Sequence, residues 1–497
     1  MDLHTLCREA NILFDESLPN LAISGIRTDS RTVCEGDLFV CIRGKNADGH
    51  QYIDEARARG ASAVVAEHPG PASCPTIVVE NTRHAAAMLY DAWFGHPSRD
   101  MKLVAVTGTN GKTSVTHMLH AIFESAMYRC GLIGTVHCYS AGRRLDIRSG
   151  DPLANMTTPD PAELYRMLSV MKQDGVEYVF MEATSHALAL HKLDALFFEA
   201  AVFTNLTSEH LDFHGDMENY FSAKQGLFSM CKRAIINVDD LYGRRIEGSV
   251  PRAITCSERD RGAAFFADRT AEAGAEGTEY KLVSRNLHAT VRSPIPGRFT
   301  VMNTLEAAAT AISLGVAPAT VLTAIGSLNG IDGRMERVRL GTLCDFSVFV
   351  DYAHTPDALS NLLTSARGFR REGERIVLVF GCGGDRDKTK RPAMGRIAAE
   401  LADYSVVTSD NSRGENPEKI ISEICCGMGE APHVVIPDRA AAIDFAIRTA
   451  VRGDIILLAG KGHEAYEIDG AGKHPFDERK IVTDAVLRYY GNNENIT

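Results

Sequence analysis

The sequence predicts an α/β protein of three units. A small α/β unit covers residues 1–97, a central unit with a parallel sheet covers 98–331, and a doubly wound, Rossmann-like unit covers 332–497. Three observations predict this. At roughly 150 residues per domain, 497 residues correspond to about three domains. Short β-branched runs alternate with helical, Ala-rich stretches, the pattern of βαβ units. Several of the strand candidates end in turns rich in glycine and charge.

Composition bounds the class. Hydrophobic residues at 45% and charged residues at 24% are ordinary for a globular chain. A net charge of −11 argues against non-specific nucleic-acid binding, which needs an electropositive footprint. It leaves room for an anionic ligand held by a few local cations. The opening MDLHTLCREANILF has no basic stretch followed by a long apolar one, so no signal peptide is expected. No apolar run is long enough to span a bilayer, and no membrane insertion is expected. The 12 cysteines are scattered without a CxxC, which suits free thiols in a reducing compartment. The expectation is a cytoplasmic protein.

In the first unit, strand candidates at 38–42, 63–66 and 76–79 alternate with helical stretches and end at Gly95-His96-Pro97. The second opens on a strand at 102–107 that runs into a glycine-rich turn and a helix near 114–125, with further strands at 178–181, 201–204 and 234–237. Residues 250–295 look irregular, with shorter polar strands near 280–283 and 289–292, and a helix over 303–314 closes the unit. In the third, strands are expected at 346–351, 376–380, 404–408, 433–436 and 454–459. Those strands are apolar at nearly every position, as expected when both faces are covered.

The strongest local signal is Gly108-Thr109-Asn110-Gly111-Lys112-Thr113-Ser114, between a strand and a helix. Glycines let backbone N–H groups close on phosphate oxygens, and the helix N-terminus adds partial positive charge. Lys112 would neutralise the β- and γ-phosphates and Thr113 would ligate Mg²⁺. The spacing is shorter than the usual Walker loop, because Val106 stands where its first glycine belongs. The bland alternative is a tight turn with an exposed lysine.

Other strand ends are less decisive singly. Glu182 in Met181-Glu182-Ala183-Thr184-Ser185-His186 sits where ligands bind in open α/β sheets. His210, Asp212 and His214 alternate, so a strand could not aim all three one way; as a loop they read equally as solvated residues or as ligands. Lys224 lies on an amphipathic helix, and by spacing alone it is an ordinary surface lysine. Asp351-Tyr352-Ala353-His354 follows another strand and reads as a nucleotide contact or a plain loop. Gly381-Cys382-Gly383-Gly384-Asp385-Arg386 is a second glycine-rich turn, whose Arg386 suits bidentate carboxylate binding. Asp410-Asn411-Ser412-Arg413 and Gly460-Lys461-Gly462-His463-Glu464 repeat the theme.

Together, TGTNGKT, EATSH, NLTSEHLDFHG, GRME, DYAHTPDAL, GCGGDRDKTKRP and GKGHE resemble the Mur ligases of bacterial peptidoglycan synthesis over the whole chain. The likeness is strongest to the branch that adds a diamino acid to UDP-MurNAc-L-Ala-D-Glu. It implies a central P-loop-type ATPase domain, ATP as substrate, and Mg²⁺. It further implies roles in cell-wall biogenesis, cell shape and division, and a chain taken to be monomeric. Activation of the D-Glu γ-carboxylate as an acyl phosphate, followed by attack of an amine, is the implied chemistry. By family pattern Thr113, Glu182 and His210 hold metal, and Lys224 matches a lysine that the family carbamylates into a further metal-assisting group. Lys112, His210 and the carbamylated Lys224 are then the catalytic set. Asn303, Arg334, Asp351 and His354 match nucleotide-holding positions. Ser30, in Thr28-Asp29-Ser30-Arg31, together with Thr157, Thr158, Ser185 and Lys192, matches the UDP-sugar-peptide site.

Three departures stand out. In Asn155-Met156-Thr157-Thr158, Met156 occupies a position where many members have asparagine, and Lys192 replaces an arginine that clamps the substrate. Asp410-Asn411-Ser412-Arg413 keeps the arginine of the Asp-Asn-Pro-Arg motif found in meso-diaminopimelate enzymes but loses its proline. With Arg386, Gly460 and Glu464 it forms the implied amino-acid pocket. L-Lysine and L-ornithine lack the distal carboxylate and would leave a buried arginine unpaired, so meso-2,6-diaminopimelate is the expected diamino acid. Folylpolyglutamate synthetases share the phosphate loop, but residues 1–97 and 410–413 speak against that alternative. A regulatory P-loop protein without catalysis would not need Glu182, His210 and Lys224.

Overall fold

The computed structural model describes residues 1–44, 47–71, 74–145, 156–271 and 274–491. By its contacts the chain divides into two compact units. One holds residues 1–116, 123–236 and 242–253; the other holds 117–122, 237–241 and 254–497.

The first unit begins with helix α1 (Leu3–Glu9) and a parallel sheet whose strands lie side by side in chain order: β1 (Gly25–Arg27), β2 (Asp37–Val40), β3 (Ala63–Ala66) and β4 (Thr76–Val78). Helix α2 (Ile53–Ala58) connects β2 to β3, and α3 (Thr82–Trp93) follows β4. Asn81 caps α3 through the amides of Arg83 and His84, and the Ala85, Ala86, Leu89 and Tyr90 face is buried.

A second sheet in the same unit runs through β5 (Lys102–Thr107), β6 (Cys130–Ile133), β7 (Cys138–Ser140), β8 (Arg143–Arg144), β9 (Tyr178–Glu182), β10 (Ala200–Phe203) and β11 (Ala234–Asn237). Their lateral order places β5 between β10 and β9, and these three strands are mutually parallel. Helix α4 (Lys112–Ser125) follows β5, α5 (Pro161–Gln173) precedes β9, and α6 (Ser185–Ala189) follows it. After β10 come α7 (Leu211–His214) and α8 (Met217–Gln225), and α9 (Leu241–Glu247) follows β11. Each of these parallel strands is buried along most of its length, so the carboxyl ends of β5, β9 and β10 open side by side.

The second unit contains β12 (Ile254–Ser257) and an antiparallel array of β13 (Phe265–Ala271), β14 (Thr278–Ser284) and β15 (Leu287–Ser293), followed by α10 (Arg298–Ser313) and α11 (Pro318–Gly326). The stretch that looks irregular in sequence is therefore an ordered meander. Its strands alternate buried and exposed side chains, and the polar positions hide the pattern.

The C-terminal sheet has lateral order β16 (Glu336–Arg337), β17 (Ser347–Asp351), β21 (Ile455–Ala459), β18 (Ile376–Phe380), β19 (Tyr404–Val407) and β20 (His433–Val435), parallel except for β16. Alternate residues face opposite cores. Phe349, Leu378, Phe380 and Leu457 pack under α12 (Pro356–Phe369), α13 (Lys390–Leu401) and α14 (Pro417–Cys425). Val348, Val350, Val379 and Ile456 pack under α15 (Arg439–Arg448) and α16 (Glu478–Tyr490). That is the doubly wound arrangement, and its ligand crevices lie beyond the carboxyl ends of the strands. A small hairpin, β22 (Tyr466–Asp469) with β23 (Gly472–Pro475), follows β21. Among the described residues no helix is long and apolar enough to cross a membrane, and all 12 cysteines are free.

Candidate functional site

Between β5 and α4 the loop 108–111 is built for close approach. Gly108 has φ +148° and a Cβ there would meet Thr204 Oγ1 at 1.9 Å, so no other residue fits without rearrangement. Gly111 also has positive φ, at +87°. The end of β10 braces the loop: the Thr109 amide donates to Asn205 O at 2.8 Å and the Asn110 amide to Asn205 Oδ1 at 2.9 Å. Lys112 folds back, donating to the carbonyls of Gly108 at 2.9 Å and Thr109 at 2.8 Å. Its ammonium therefore sits over the loop, where phosphate oxygens would lie. Ser114 is buried in the first turn of α4.

Glu182, at the end of β9, is fully buried (0% exposed). Its oxygens accept from the Thr113 hydroxyl at 3.0 Å, the Thr135 amide at 2.7 Å and the Thr135 hydroxyl at 3.1 Å. All three donors are neutral, and no basic side chain pairs with this carboxylate among the described residues. A buried carboxylate lacking a cation, beside a threonine hydroxyl, is a donor set that suits a hard divalent ion. The Thr135 and Gly134 contributions are not evident from the sequence. A Cβ at Gly134 would come within 2.5 Å of Glu182 Oε1, so glycine is needed there for space.

Lys224 departs most from what its spacing suggests. It is 1% exposed, donates to Gly108 O at 2.8 Å, and lies 4.8 Å from the centre of the Tyr220 ring. Burial and the Lys112 cation hold its pKa well below the ordinary lysine value. A neutral buried amine is a nucleophile, which is what addition to CO₂ requires.

His210 lies just before the short helix α7, with φ +57°. Its side chain is 44% exposed, yet partial desolvation, with help from the Lys112 cation, lowers its pKa to about 4, so the imidazole is neutral. His214, at the end of α7, is buried and shares a hydrogen bond with Ser185 Oγ at 3.0 Å, whereas Asp212 is exposed. Of the three residues that alternate in sequence, His210 and Asp212 thus face solvent and only His214 is buried.

Thr157 and Thr158 lie beside the same strand end. Thr157 and Thr135 hydroxyls are 3.0 Å apart, and Thr158 donates to Glu182 O at 2.7 Å. Asn155 lies outside the described residues. Lys192 is 4% exposed, with its ammonium 2.8 Å from Asp160 Oδ1 and 3.4 Å from the Met156 sulfur. It lines a cavity of about 770 Å³ together with Thr28, Asp29, Ser30, Arg31, Arg83 and Tyr90. Ser30 also donates to Glu55 there, at 3.2 Å.

In the second unit, Asn303 is buried on α10. Asp351 ends β17, and its carboxylate accepts the amides of Met335 at 2.7 Å and Ala353 at 2.8 Å, which sets the backbone that carries Arg334 and His354. The Arg334 guanidinium lies 5.0 Å from the Tyr352 ring centre, and His354 packs on the same ring.

At the ends of β19 and β21, Asp410, Asn411 and Ser412 are buried. Burial pushes Asp410 upward, but the neighbouring Lys461 and Arg439 cations outweigh it and hold the carboxyl below its usual range. Asn411 is oriented by three bonds: its oxygen accepts from Lys461 at 3.1 Å and from the Ile468 amide at 2.9 Å, and its nitrogen donates to Glu464 at 2.7 Å. Burial, then the nearby Asp410 charge, raises Glu464. Gly460, with φ +120°, would bring a Cβ to 3.0 Å from Asp410. Arg413 turns inward: Nη1 donates to Gly384 O at 2.8 Å, and Nε is buried without a hydrogen-bond partner among the described residues. Arg386 is exposed on its turn and is not joined to this network. Lys461, fully buried, is the residue that sequence reasoning passes over here, although its GKGHE setting signals it.

Comparison with known proteins bears on these sites. The sequence matches the Mur ligase family catalytic domain over residues 22–93, the Mur ligase middle domain over 106–311 and the Mur ligase glutamate ligase domain over 333–462. A relative from Clostridium acetobutylicum, named UDP-N-acetylmuramoyl-L-alanyl-D-glutamate–2,6-diaminopimelate ligase 1, is 41% identical over 95% of this chain and 96% of its own. A protein of the corresponding name from Gloeobacter violaceus is 42% identical over 98% of both chains. Among solved structures, a UDP-N-acetylmuramoyl-L-alanyl-D-glutamate–2,6-diaminopimelate ligase superposes with a TM-score of 0.70 at 30% identity, covering 98% of this chain and 99% of that one.

Proposed function

The chain belongs to the Mur ligase family and is an ATP-dependent, amide-forming ligase, and on that premise we propose that it joins meso-2,6-diaminopimelate to the D-Glu γ-carboxylate of UDP-MurNAc-L-Ala-D-Glu. The observation that carries the choice of amino acid is Arg413, turned inward with a buried Nε that has no hydrogen-bond partner among the described residues. A guanidinium with donors left unpaired favours a substrate that brings a carboxylate to its remaining edge. The relatives named for diaminopimelate support the same assignment.

The three segments divide the work. Residues 1–97, with Ser30 in the cavity that Lys192 also lines, hold the uridine nucleotide. Residues 98–331 carry the ATP chemistry, and 332–497 select the amino acid. The γ-carboxylate attacks the terminal phosphorus of ATP, giving an acyl phosphate and ADP. The amine then attacks the acyl carbon and phosphate leaves. Two anions must meet, so the barrier is mainly electrostatic. Lys112, fixed over the phosphate loop, lowers it on the ATP side. Thr113, Glu182, His210 and carbamylated Lys224 would hold Mg²⁺, which supplies further charge neutralisation at the phosphates. His210 stays neutral near pH 7 and can act as a ligand. Asn303, Arg334, Asp351 and His354 are assigned to nucleotide binding by their match to the family's motifs. Free thiols fit a cytoplasmic setting.

The test is a side-by-side amino-acid panel. Purified protein with ATP, Mg²⁺ and UDP-MurNAc-L-Ala-D-Glu should release phosphate fastest with meso-diaminopimelate and yield a product heavier by that residue. Faster turnover with L-lysine or L-ornithine would overturn the choice of amino acid.

A further inference from the structure

Outside the site just described, two histidines from distant parts of the first unit converge on one carboxylate. His84, in the first turn of α3, places Nδ1 2.7 Å from Asp194 Oδ2; His191 places its own Nδ1 2.8 Å from the same oxygen. The ligand atoms of the three residues lie within 4.8 Å of one another. Nothing in the ligase chemistry uses them.

Local backbone makes the convergence specific. Helix α6 ends in a two-bond turn: the His191 amide donates to Leu188 O at 3.1 Å and the Lys192 amide to Ala187 O at 2.9 Å. This is the helix stop at which glycine is the usual left-handed residue. Here histidine takes it, at φ +56°, and its ring is thereby directed at Asp194. On the other side, Asn81 caps α3 and fixes the turn that carries His84.

We propose that His84, His191 and Asp194 form a site for a divalent transition ion of the zinc class. Two imidazoles and one carboxylate are a donor set that such ions take, whereas Mg²⁺ prefers oxygen alone. Each ring's Nδ1 faces Asp194 Oδ2; an ion at this site takes the Nδ1 lone pair of each ring, with the ring proton carried on Nε2. Ligand bonds of about 2.0–2.2 Å put neighbouring ligand atoms about 3.3 Å apart, so each Nδ1–Oδ2 pair must open by roughly 0.5 Å. The His84 side chain is 52% exposed, so the ion can enter from solvent and keep a water as fourth ligand. The ion would fasten α3 to the turn after α6. Arg83 and Ala86 on one side, and Leu190 and Lys192 on the other, line the cavity beneath it.

The experiment is a Co²⁺ titration of the chelator-treated full-length protein in excess Mg²⁺, read by visible absorption, with Zn²⁺ competition and thermal unfolding alongside. One Co²⁺ per chain is expected, displaced by Zn²⁺ and not by Mg²⁺. His84→Ala and His191→Ala should each weaken uptake by about tenfold or more. Zn²⁺ should raise the Tm of the native protein and not that of His84→Ala. No uptake at about 100 μM Co²⁺, roughly a hundredfold above the Kd of a micromolar site, would overturn the proposal. Uptake unchanged in both variants would also overturn it, by placing the ion elsewhere. Neither result depends on which amino acid the ligase accepts.

Discussion

Replacing Arg413 with alanine should raise the KM for meso-diaminopimelate and leave the KM for ATP unchanged. The magnitude follows from the geometry. One guanidinium arm is committed to Gly384 O at 2.8 Å, which orients the fork and leaves Nη2 as the donor for substrate. A charge-assisted hydrogen bond to a carboxylate contributes about 1.5–3 kcal/mol, so losing it should lower kcat/KM by roughly 10- to 150-fold. The distal carboxylate is remote from the reacting amine and is held equally in ground and transition states. The loss should therefore fall on KM rather than kcat. Arg413→Lys keeps charge without the planar fork and should be intermediate. L-Lysine has no distal carboxylate, so its slower turnover should be unaffected and the preference ratio should collapse. Gly383→Ala is an independent perturbation, because its Cβ would lie 2.9 Å from Nη1 and push the guanidinium aside. Initial rates of phosphate release against each amino acid, at saturating ATP and UDP-substrate, measure all of this. An unchanged diaminopimelate KM in Arg413→Ala, or an equal loss with L-lysine, would refute the role given to the arginine.

Lys224→Ala should lose nearly all activity and regain part of it with added short-chain carboxylic acids, which replace the carbamate; wild-type rates in the variant would dismiss that modification. Gly108→Ala forces a Cβ to 1.9 Å from Thr204 Oγ1 at a strongly positive φ, so ATP binding by calorimetry should be abolished while UDP binding persists. Retained ATP affinity would mean that the loop does not hold phosphate. Glu306 is fully buried on α10, and neither of its carboxylate oxygens has a hydrogen-bond partner among the described residues; burial and the nearby Glu258 charge raise its pKa well above the usual value. The folded state then keeps a proton that the unfolded chain releases, so this stability is intact below the unfolded pKa and is lost as pH rises toward the folded one. Denaturant melts of Glu306→Gln and wild type should diverge by about 1.4 kcal/mol per pH unit across that window, with the variant gaining as pH rises. A constant difference would show that Glu306 is ionised in the folded protein.

The elements legible in the sequence are those whose physics is local. β5, β18 and β21 are apolar at nearly every position because both faces are covered, and the phosphate loop announces itself by glycines at positive φ. The β13–β15 meander is harder to read because half of its side chains face solvent and interrupt the apolar signal. Helix α10 begins at Arg298, five residues before the Asn303 that its apolar stretch suggests, since Gly297 at φ +97° sets the start rather than hydrophobicity. Lys224 shows the stronger limit. Helical spacing places it on a face but does not say what that face meets. Tyr220 and the Gly108 carbonyl, far away in sequence, turn it from a surface cation into a buried amine. Thr135 is invisible for the same reason, because its value lies entirely in a carboxylate 47 residues downstream.

Met156 and Lys192, singled out separately in the sequence, meet in the structure. Met156 and Lys192 lie 36 residues apart in sequence, yet the Lys192 ammonium sits 3.4 Å from the Met156 sulfur. An arginine needs a partner that accepts a directed N–H bond, which an asparagine oxygen does well and a thioether does poorly. A lysine ammonium is a rotatable point charge, and a polarizable sulfur beside a four-carbon stem packs against it without demanding geometry. Asp160 then supplies the charged contact, at 2.8 Å. Lys192 thus places a charge at the cavity wall without the directional fork of a guanidinium. The ion pair therefore lines the cavity as a unit, and Thr158 is itself fixed, its hydroxyl donating to Glu182 O at 2.7 Å and accepting from the Thr184 amide at 3.1 Å.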